Sequence, residues 1–428
     1  MLRKLTVNET PSRFTPAYQW IILSILWFSH IVYFLNYLTV GTLAPLIQPE
    51  LGLSSAQIGF LCSAITIGSM AIQIPAGVWC DLIGAKWVMS LGLVLMGGAS
   101  ISMSWVHSYT SAFLLLMLLG VGIGCNQAPA SKAIMTWFSI KGRATAMGVK
   151  QTGINIGGVL ASILLPALAL QFNSWRFSFR AAGFASLFSA LLVFTFYKET
   201  YTSSEDSFRM PFLKRSFLYL LSQRDFLLIC LSGILLMMTQ YSFTTYFMLY
   251  ATRVLNFPIH QSGALLGLAF GAGAFARIGW SLLSDYLLGG KRKPILILIG
   301  IVAAFTSTAF ILLSPLPSKG LLYLLVILFG LTGIGWNAIY LTMVGEFSGK
   351  ELTGIATGIS FLFSNLGVVA GPPLFGYLID VTGEYHLSWV FIGLCMAMVA
   401  LLNKIRRKEK NEDEEGRKST LATPFLKS

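Results

Sequence analysis

Long apolar runs recur along this chain from Trp20 to Leu402, separated by short polar stretches that hold most of its lysines and arginines. Each run approaches or exceeds the roughly 20 residues that a helix needs to cross a bilayer. They predict twelve spans, near residues 18–46, 54–80, 87–105, 109–138, 144–171, 176–197, 225–253, 259–288, 294–314, 319–346, 353–381 and 385–403. Helix is the conformation lipid allows here, because every backbone N–H and C=O must find its partner inside the segment. Barrel strands would be shorter and would alternate polar with apolar positions. The first 16 residues are polar and no cleavage signature follows, so the first span reads as a retained anchor.

Composition agrees with lipid as the main solvent: 55% of residues are hydrophobic and 11% charged, against about 25% charged in a soluble domain, and mean hydropathy is +0.72. A net charge of +13 taken alone suits a nucleic-acid partner, but its distribution points elsewhere. With the N-terminus inside and sides alternating, 23 of the 30 basic residues fall on inner segments, four on the opposite side (Arg176, Arg180, Arg253, Lys319) and three within spans (Lys132, Lys150, Arg277). That asymmetry predicts both termini on the cytoplasmic side of a plasma membrane, with a basic face beside anionic lipid and no nucleic-acid partner. The mixed-charge tail 404–428 reads as solvated. Cys62, Cys80, Cys125, Cys230 and Cys395 lie scattered in apolar runs without metal-ligand or disulfide spacing, which assigns them packing. No Gly-rich phosphate loop, His cluster or Ser–His pairing appears at membrane depth. The expectation is therefore no enzyme, no cofactor and no metal.

The chain repeats itself. Gly122-Ile-Gly-Cys-Asn126 in span 4 is matched 211 residues later by Gly333-Ile-Gly-Trp-Asn337 in span 10. Gly148, Asn155 and Gly157 of span 5 have counterparts Gly358, Asn365 and Gly367 in span 11, each 210 residues on. Gly77-Val-Trp-Cys-Asp81-Leu-Ile-Gly84-Ala-Lys86 after span 2 is echoed after span 8 by Ser281-Leu-Leu-Ser-Asp285 and a following Gly-Gly-Lys-Arg-Lys. Shared order and spacing predict an all-α membrane protein with twelve transmembrane helices in two pseudo-symmetric six-helix bundles. The expected layout is a segment 1–17, a bundle 18–197, a linker 198–224, a bundle 225–403 and the tail 404–428.

The Gly-x-x-x-Asp-x-x-Gly-x-Lys loop, its partial copy and the six-plus-six plan resemble the major facilitator superfamily over essentially the whole chain. The family's loop usually has Arg after the Asp, where this sequence has Leu82 and Tyr286. The resemblance implies a gate at the inner face formed by Asp81 and Asp285 with the turn glycines Gly77 and Gly84. The stretch Trp137-Phe138-Ser-Ile-Lys-Gly-Arg143, with Lys132 before it, resembles the anion:cation symporter branch, whose cargo is mostly sugar acids, organophosphates and other organic anions.

Charged residues inside spans are costly and mark function by default. Arg277 lies two turns before Asp285, and Gln73 stands at the corresponding place of the first half. A guanidinium facing an amide would offer a fork of donors to a carboxylate, phosphate or nitrate. Because Arg277, Ser281 and Asp285 share a face, Arg277 either meets the substrate or extends the gate. Nitrate porters of the superfamily pair the span-8 Arg with a span-2 Arg, so Gln73 leaves room for a larger, singly charged cargo. Lys132 and Lys150 either contact the anion or snorkel to headgroups. Asn155 and Asn365 either line the pathway or join helices. Tyr33, Tyr37 and Asn337 complete the candidate lining, with Tyr241, Tyr246, Tyr250, Trp336 and Tyr340 as a second-half aromatic wall. His30 is the candidate for a coupling proton. No carboxylate is predicted mid-membrane. The sequence thus predicts a monomeric carrier of a small organic anion, taken up with protons. Efflux of drugs or metabolites by proton antiport and a transporter-like sensor are the competing readings.

Overall fold

Backbone self-satisfaction in lipid leaves helices as the building material, and the computed structural model, which describes residues 16–199, 210–313 and 319–406, is helical almost throughout. The helices are α1 (Pro16–Tyr37), α2 (Thr39–Glu50), α3 (Ser55–Ile83), α4 (Ala85–Ser102), α5 (Tyr109–Trp137), α6 (Ile140–Gln171), α7 (Trp175–Phe196), α8 (Met210–Ser222), α9 (Arg224–Arg253), α10 (Ile259–Leu282), α11 (Lys293–Ala309), α12 (Lys319–Phe329), α13 (Asn337–Thr382) and α14 (His386–Ile405). Among the described residues eleven helical stretches are long and apolar enough to cross a membrane, and α11 is a shorter apolar helix prolonged by a 3-10 turn at Phe310–Leu313.

Several expected boundaries shift, each for a local reason. The first span is interrupted at Leu38 and resumes as α2, which accommodates Pro45 and Pro49. Spans 10 and 11 join without a loop: one helical run from Asn337 to Thr382 turns at Gly349, whose φ of 70° belongs to the left-handed region where glycine carries no Cβ penalty. Span 10 itself widens into a π-helical turn at Gly330–Ile334. The linker 198–224 contains a helix, α8, whose sequence MPFLKRSFLYLLS sets Lys214 and Arg215 among mostly apolar residues. The tail from residue 407 on, and residues 1–15 of the leading segment, lie outside the described residues.

Contacts divide the chain into two units, and the division differs from the predicted bundles at one place. Residues 16–39 group with 64–199, whereas residues 40–63 group with 210–313 and 319–406. The reason is backbone-level packing within the second unit. A Cβ on Gly41 would stand 2.7 Å from the Thr244 carbonyl oxygen, and one on Gly59 would stand 2.5 Å from the Pro372 carbonyl.

The repeated glycines perform the same work in each unit. In the first, α6 lies on α1 so closely that a Cβ on Gly157 would come within 2.6 Å of the Ile31 carbonyl oxygen. In the second, α13 lies on α9, and a Cβ on Gly367 would come within 2.0 Å of the Ile234 oxygen. Lipid supplies no hydrophobic drive between helices, so such close approach at small residues is what holds them together. The other repeated pair, Gly148 and Gly358, faces open space.

An aromatic core fills the second unit around Phe243, Phe310, Phe329 and Trp389, with ring centroids of Phe243 and Phe329 4.0 Å apart. The expected aromatic wall lies partly within this packing. Tyr246, Tyr250, Trp336 and Tyr340 are all buried, and the Tyr250 hydroxyl donates to the Phe310 carbonyl at 2.6 Å.

Gly157→Ala and Gly367→Ala should each destabilise the purified protein by about 1–3 kcal/mol, the usual cost of overpacking. Gly358→Ala should leave thermal unfolding in detergent unchanged, and equal behaviour of all three variants would remove the glycine contacts as the basis of helix pairing.

Candidate functional site

Polar side chains of α1, α5 and α6 lie close together in the first unit, in two hydrogen-bonded groups joined only through the Gln127 backbone. His30 of α1 is buried; its Nδ1 donates to the Leu26 carbonyl oxygen at 2.9 Å and its Nε2 lies 3.0 Å from the side-chain oxygen of Gln127 on α5. One turn further along α5, the Ser131 hydroxyl donates to the Gln127 carbonyl at 2.9 Å and accepts from Lys150 Nζ of α6, also at 2.9 Å. Lys150 is 1% exposed, and among the described residues no carboxylate lies within ion-pair distance of it. Trp27 donates its indole N–H to Thr152 at 3.0 Å, tying α1 to α6 beside the cluster. Tyr33 extends it, with its ring centroid 5.9 Å from that of His30, and Tyr37 shares a 2.5 Å hydrogen bond with Thr66 of α3. Asn155 is buried one turn beyond Lys150 on α6.

The second unit holds the other intramembrane cation. Arg277 of α10 is half-buried, and its buried Nε has no hydrogen-bond partner among the described residues. Tyr241 of α9 is its electrostatic neighbour. Asn337, at the start of α13, donates to the side-chain oxygen of Gln240 at 3.3 Å, and the Trp336 indole N–H beside it is buried with no partner among the described residues. Asn365 is half-buried on α13. Gln73 is exposed on α3 in the first unit.

Charges at helix ends form separate systems. Asp81 lies in the last turn of α3, where carbonyls already concentrate negative charge. Lys132 of α5 neutralises both, donating to Asp81 Oδ1 at 2.6 Å and to the Cys80 carbonyl at 3.1 Å. Lys132 is thereby part of the loop-motif network, a role neither of its two sequence readings contained. Gly84 takes a φ of 92°, and at this turn the Glu199 carboxylate receives the first N–H groups of α4, from Ala85 at 3.1 Å and Lys86 at 2.8 Å. Gly77 is half-buried next to open space.

In the second unit Asp285 sits in a π-helical turn at Leu283–Leu287 and is bound by Arg292, which also reaches Glu346 and the Ser284 hydroxyl, at 3.0 and 2.9 Å. Burial alone would lower the Arg292 guanidinium, but the bonds to both carboxylates outweigh it and hold its pKa above the ordinary value. The basic partner of Asp285 is thus Arg292 from the following loop; Ser281 in turn donates to the Arg277 carbonyl. Leu82 and Tyr286, at the positions where the family usually has Arg, are exposed.

Sequence reasoning missed Gln127, Ser131, Gln240, Glu199, Arg292 and Glu346. It also missed Asp380, whose carboxylate accepts the N–H groups of Ser55 and Ala56 at 2.7 and 2.8 Å and so caps α3 within the second unit. Tyr246 adds a 2.6 Å bond to the Ser55 carbonyl, and Ser63 one of 2.7 Å to Val369.

Two units of long apolar helices, with polar clusters inside each and charge networks at helix ends, define a multi-pass membrane transporter. The chain belongs to the Major Facilitator Superfamily, whose family model matches residues 26–370. An uncharacterized MFS-type transporter of Mycobacterium tuberculosis is 27% identical over 362 residues, covering 83% of this chain and 78% of that protein. The hexuronate transporter of Bacillus subtilis is 24% identical over 402 residues, covering 90% and 93%. A bacterial homolog of the human lysosomal transporter Spinster, solved inward-facing and occupied, superposes with a TM-score of 0.79 at 16% identity, covering 92% of this chain and 97% of that one. The twelve-helix, two-bundle layout of the superfamily is consistent with the helices seen here, and the protein is a transporter, not an enzyme.

The Lys132–Asp81 pair is largely exposed, so it adds at most about 1 kcal/mol to stability. Lys132→Asp or Asp81→Lys alone should lower transport while hardly moving thermal unfolding, and the exchanged pair should recover much of it in proteoliposomes. Asp380→Ala should cost about 0.5–2 kcal/mol, as loss of a helix cap does, read by thermal unfolding; a change within error would remove Asp380 as a cap.

Proposed function

We propose that the protein takes up a small organic anion of the carboxylate or sugar-acid type by alternating access, coupled to protons, through a bacterial plasma membrane with both termini cytoplasmic. The observation that carries this reading is the pair of intramembrane cations, Lys150 and Arg277, one per unit, with no carboxylate within ion-pair distance among the described residues. A buried charge without a counter-ion costs several kcal/mol, so residues kept this way call for a mobile anion. A monoanionic cargo offers one carboxylate to Lys150 with hydroxyls to Tyr33 and Tyr37 in the first unit, or to Arg277 with hydroxyls to Gln240 and Asn337 in the second.

Further support comes from the disposition of acids. Every described carboxylate, including Asp81, Asp285, Glu346 and Asp380, lies at a helix end or at the Gly349 kink. That leaves Arg277 and Lys150 free of the gate networks and is unfavourable to proton-driven export of cations, which wants a buried acid. The similarity to a hexuronate transporter points to the same cargo class. His30 is the group proposed to take the coupling proton, with Gln73, Asn155 and Asn365 as further lining.

Thermal unfolding should be screened against monocarboxylates, hexuronates, sugar phosphates, nitrate and cationic dyes. One anion class should stabilise the parent, by about 2.7 kcal/mol at a hundred times its Kd, and should lose its effect in Lys150→Ala and Arg277→Ala. Stabilisation by cationic dyes alone would refute the anion site, and an anion effect that survives both variants would remove these residues from it.

A further inference from the structure

We infer that the first unit carries a phospholipid site on the lipid-facing side of the α4–α7 seam, at the end away from Asp81, where Arg180 takes the headgroup phosphate and an acyl chain lies along α4. The seam itself is closely fitted. A Cβ on Gly97 would stand 2.8 Å from the Gly183 carbonyl oxygen, and one on Gly183 would stand 2.7 Å from that of Gly97. Ser100 donates to the Phe179 carbonyl at 2.9 Å and Ser104 to the Arg176 carbonyl at 3.4 Å. The two helices run antiparallel, because Glu199 beyond the end of α7 holds the first amides of α4. The start of α7 therefore lies beside the 3-10 turn Met103–Trp105 that ends α4. There Arg176 donates to the Val106 carbonyl at 2.9 Å, and the Arg180 guanidinium lies 5.8 Å from the centre of the Trp105 ring.

The exposed surface of this seam has the dimensions of a lipid. Trp105 is 64% exposed, Trp87 near the other end of α4 is 54% exposed, and Leu91 and Val94 are exposed between them. From Trp87 to Trp105 the chain climbs about 27 Å at 1.5 Å per residue, close to the roughly 30 Å of bilayer hydrocarbon, and tryptophan favours the two membrane interfaces. Arg180, against the second tryptophan, thus stands at the level of headgroup phosphates. Phe184 and Phe188 follow it on α7 at one and two turns, both exposed. Gly98 is exposed on α4 with nothing within 4 Å of a built Cβ, which leaves a notch between Val94 and Trp105 for an acyl chain. Among the described residues Arg180 makes no hydrogen bond or ion pair, and its buried Nε is unpartnered. A phosphodiester presents the paired oxygens that a guanidinium fork binds.

The internal repeat separates this cation from the needs of the fold. Ser178 at the head of α7 donates to the Leu165 carbonyl at 2.7 Å, and 210 residues later Ser388 at the head of α14 donates to the Phe375 carbonyl at 2.8 Å. On that register Val390 stands where Arg180 does, and His386, bonded to Glu384, stands where Arg176 does. A helix seam that required arginine would hold it in both units. Basic residues are also scarce at this end of the spans, where the sequence places four, and two of them are Arg176 and Arg180. A free anion would gain nothing from the apolar face below Arg180, whereas a phospholipid covers both. The site is independent of the cargo reading above.

The test uses the full-length protein in detergent, with native mass spectrometry and thermal unfolding as readouts. The probes are dioleoyl phosphatidylglycerol, dioleoyl phosphatidylcholine and glycerol phosphate. The parent should retain one phosphatidylglycerol more firmly than phosphatidylcholine and should be stabilised by it, while glycerol phosphate should do little. Arg180→Gln should weaken that binding by about tenfold or more, the usual loss of a charge-assisted hydrogen bond, and Arg180→Lys should keep part of it. Gly98→Leu, which fills the notch at an exposed position, should weaken it as well, and it carries the test if Arg180→Gln does not fold. Val390→Ala in the second unit should leave lipid retention unchanged. Equal retention by the parent, Arg180→Gln and Gly98→Leu would reduce the lipid to ordinary bilayer solvent and overturn the site. Stabilisation by glycerol phosphate as strong as by phosphatidylglycerol would assign Arg180 to a free anion instead. A dimer in light scattering that Trp105→Ala dissociates, with no lipid retained, would give this face to a second copy of the chain and equally overturn the proposal.

Discussion

Helices in lipid cannot be driven together by water, and the contacts at Gly157 and Gly367 are this protein's answer to that constraint. Removing the side chain lets α6 meet α1, and α13 meet α9, backbone to backbone, where dispersion and weak polar contacts accumulate over many atoms. The polar clusters of both units are positioned from these seams. Lys150 lies on α6 and His30 on α1, so the α1–α6 contact fixes the spacing of the first polar cluster. Gln240 and Tyr241 lie on α9 and Asn337 at the head of α13, so the second seam does the same there.

The charges divide by depth into two populations with different physics. Those at helix ends are paired and partly hydrated, and their bonds exchange readily with water, which suits contacts that must open and close. Lys150 and Arg277 lie within helices with no acidic partner among the described residues, and that is a state of higher free energy than a neutral side chain in the same place would have. The protein keeps its stability in its packing rather than in these charges.

What the sequence made legible follows from the range of the forces involved. Apolar runs, the 210-residue repeat and the rare charges inside spans are local signals, and they led to the helices, the duplicated glycines, Lys150 and Arg277. Gln127 and Ser131 were invisible because uncharged polar residues are common in such helices and gain meaning only from a neighbour on another helix. Arg292 and Glu346 were hidden among many basic and acidic residues at helix ends. The Lys132 bond to Asp81 was hidden because the two lie 51 residues apart, and the burial of the second-half tyrosines cannot be read from an amphipathic ring alone. The α8 helix was concealed by a polar composition that nevertheless has an apolar face.

The segment 40–63 carries a consequence for how the chain is made. Its cap, Asp380, follows Ser55 by 325 residues, and ribosomes add about 5–20 residues per second. For roughly 15–65 s after the first helices emerge, the amides at the start of α3 and the face at Gly59 have no native partner. The first helices must therefore be threaded into the bilayer in a provisional arrangement, to be completed only when the last third of the chain arrives. Biogenesis of this transporter is thus a late-closing process, and a nascent chain arrested before α13 would expose that unfinished edge to any insertion factor or protease within reach.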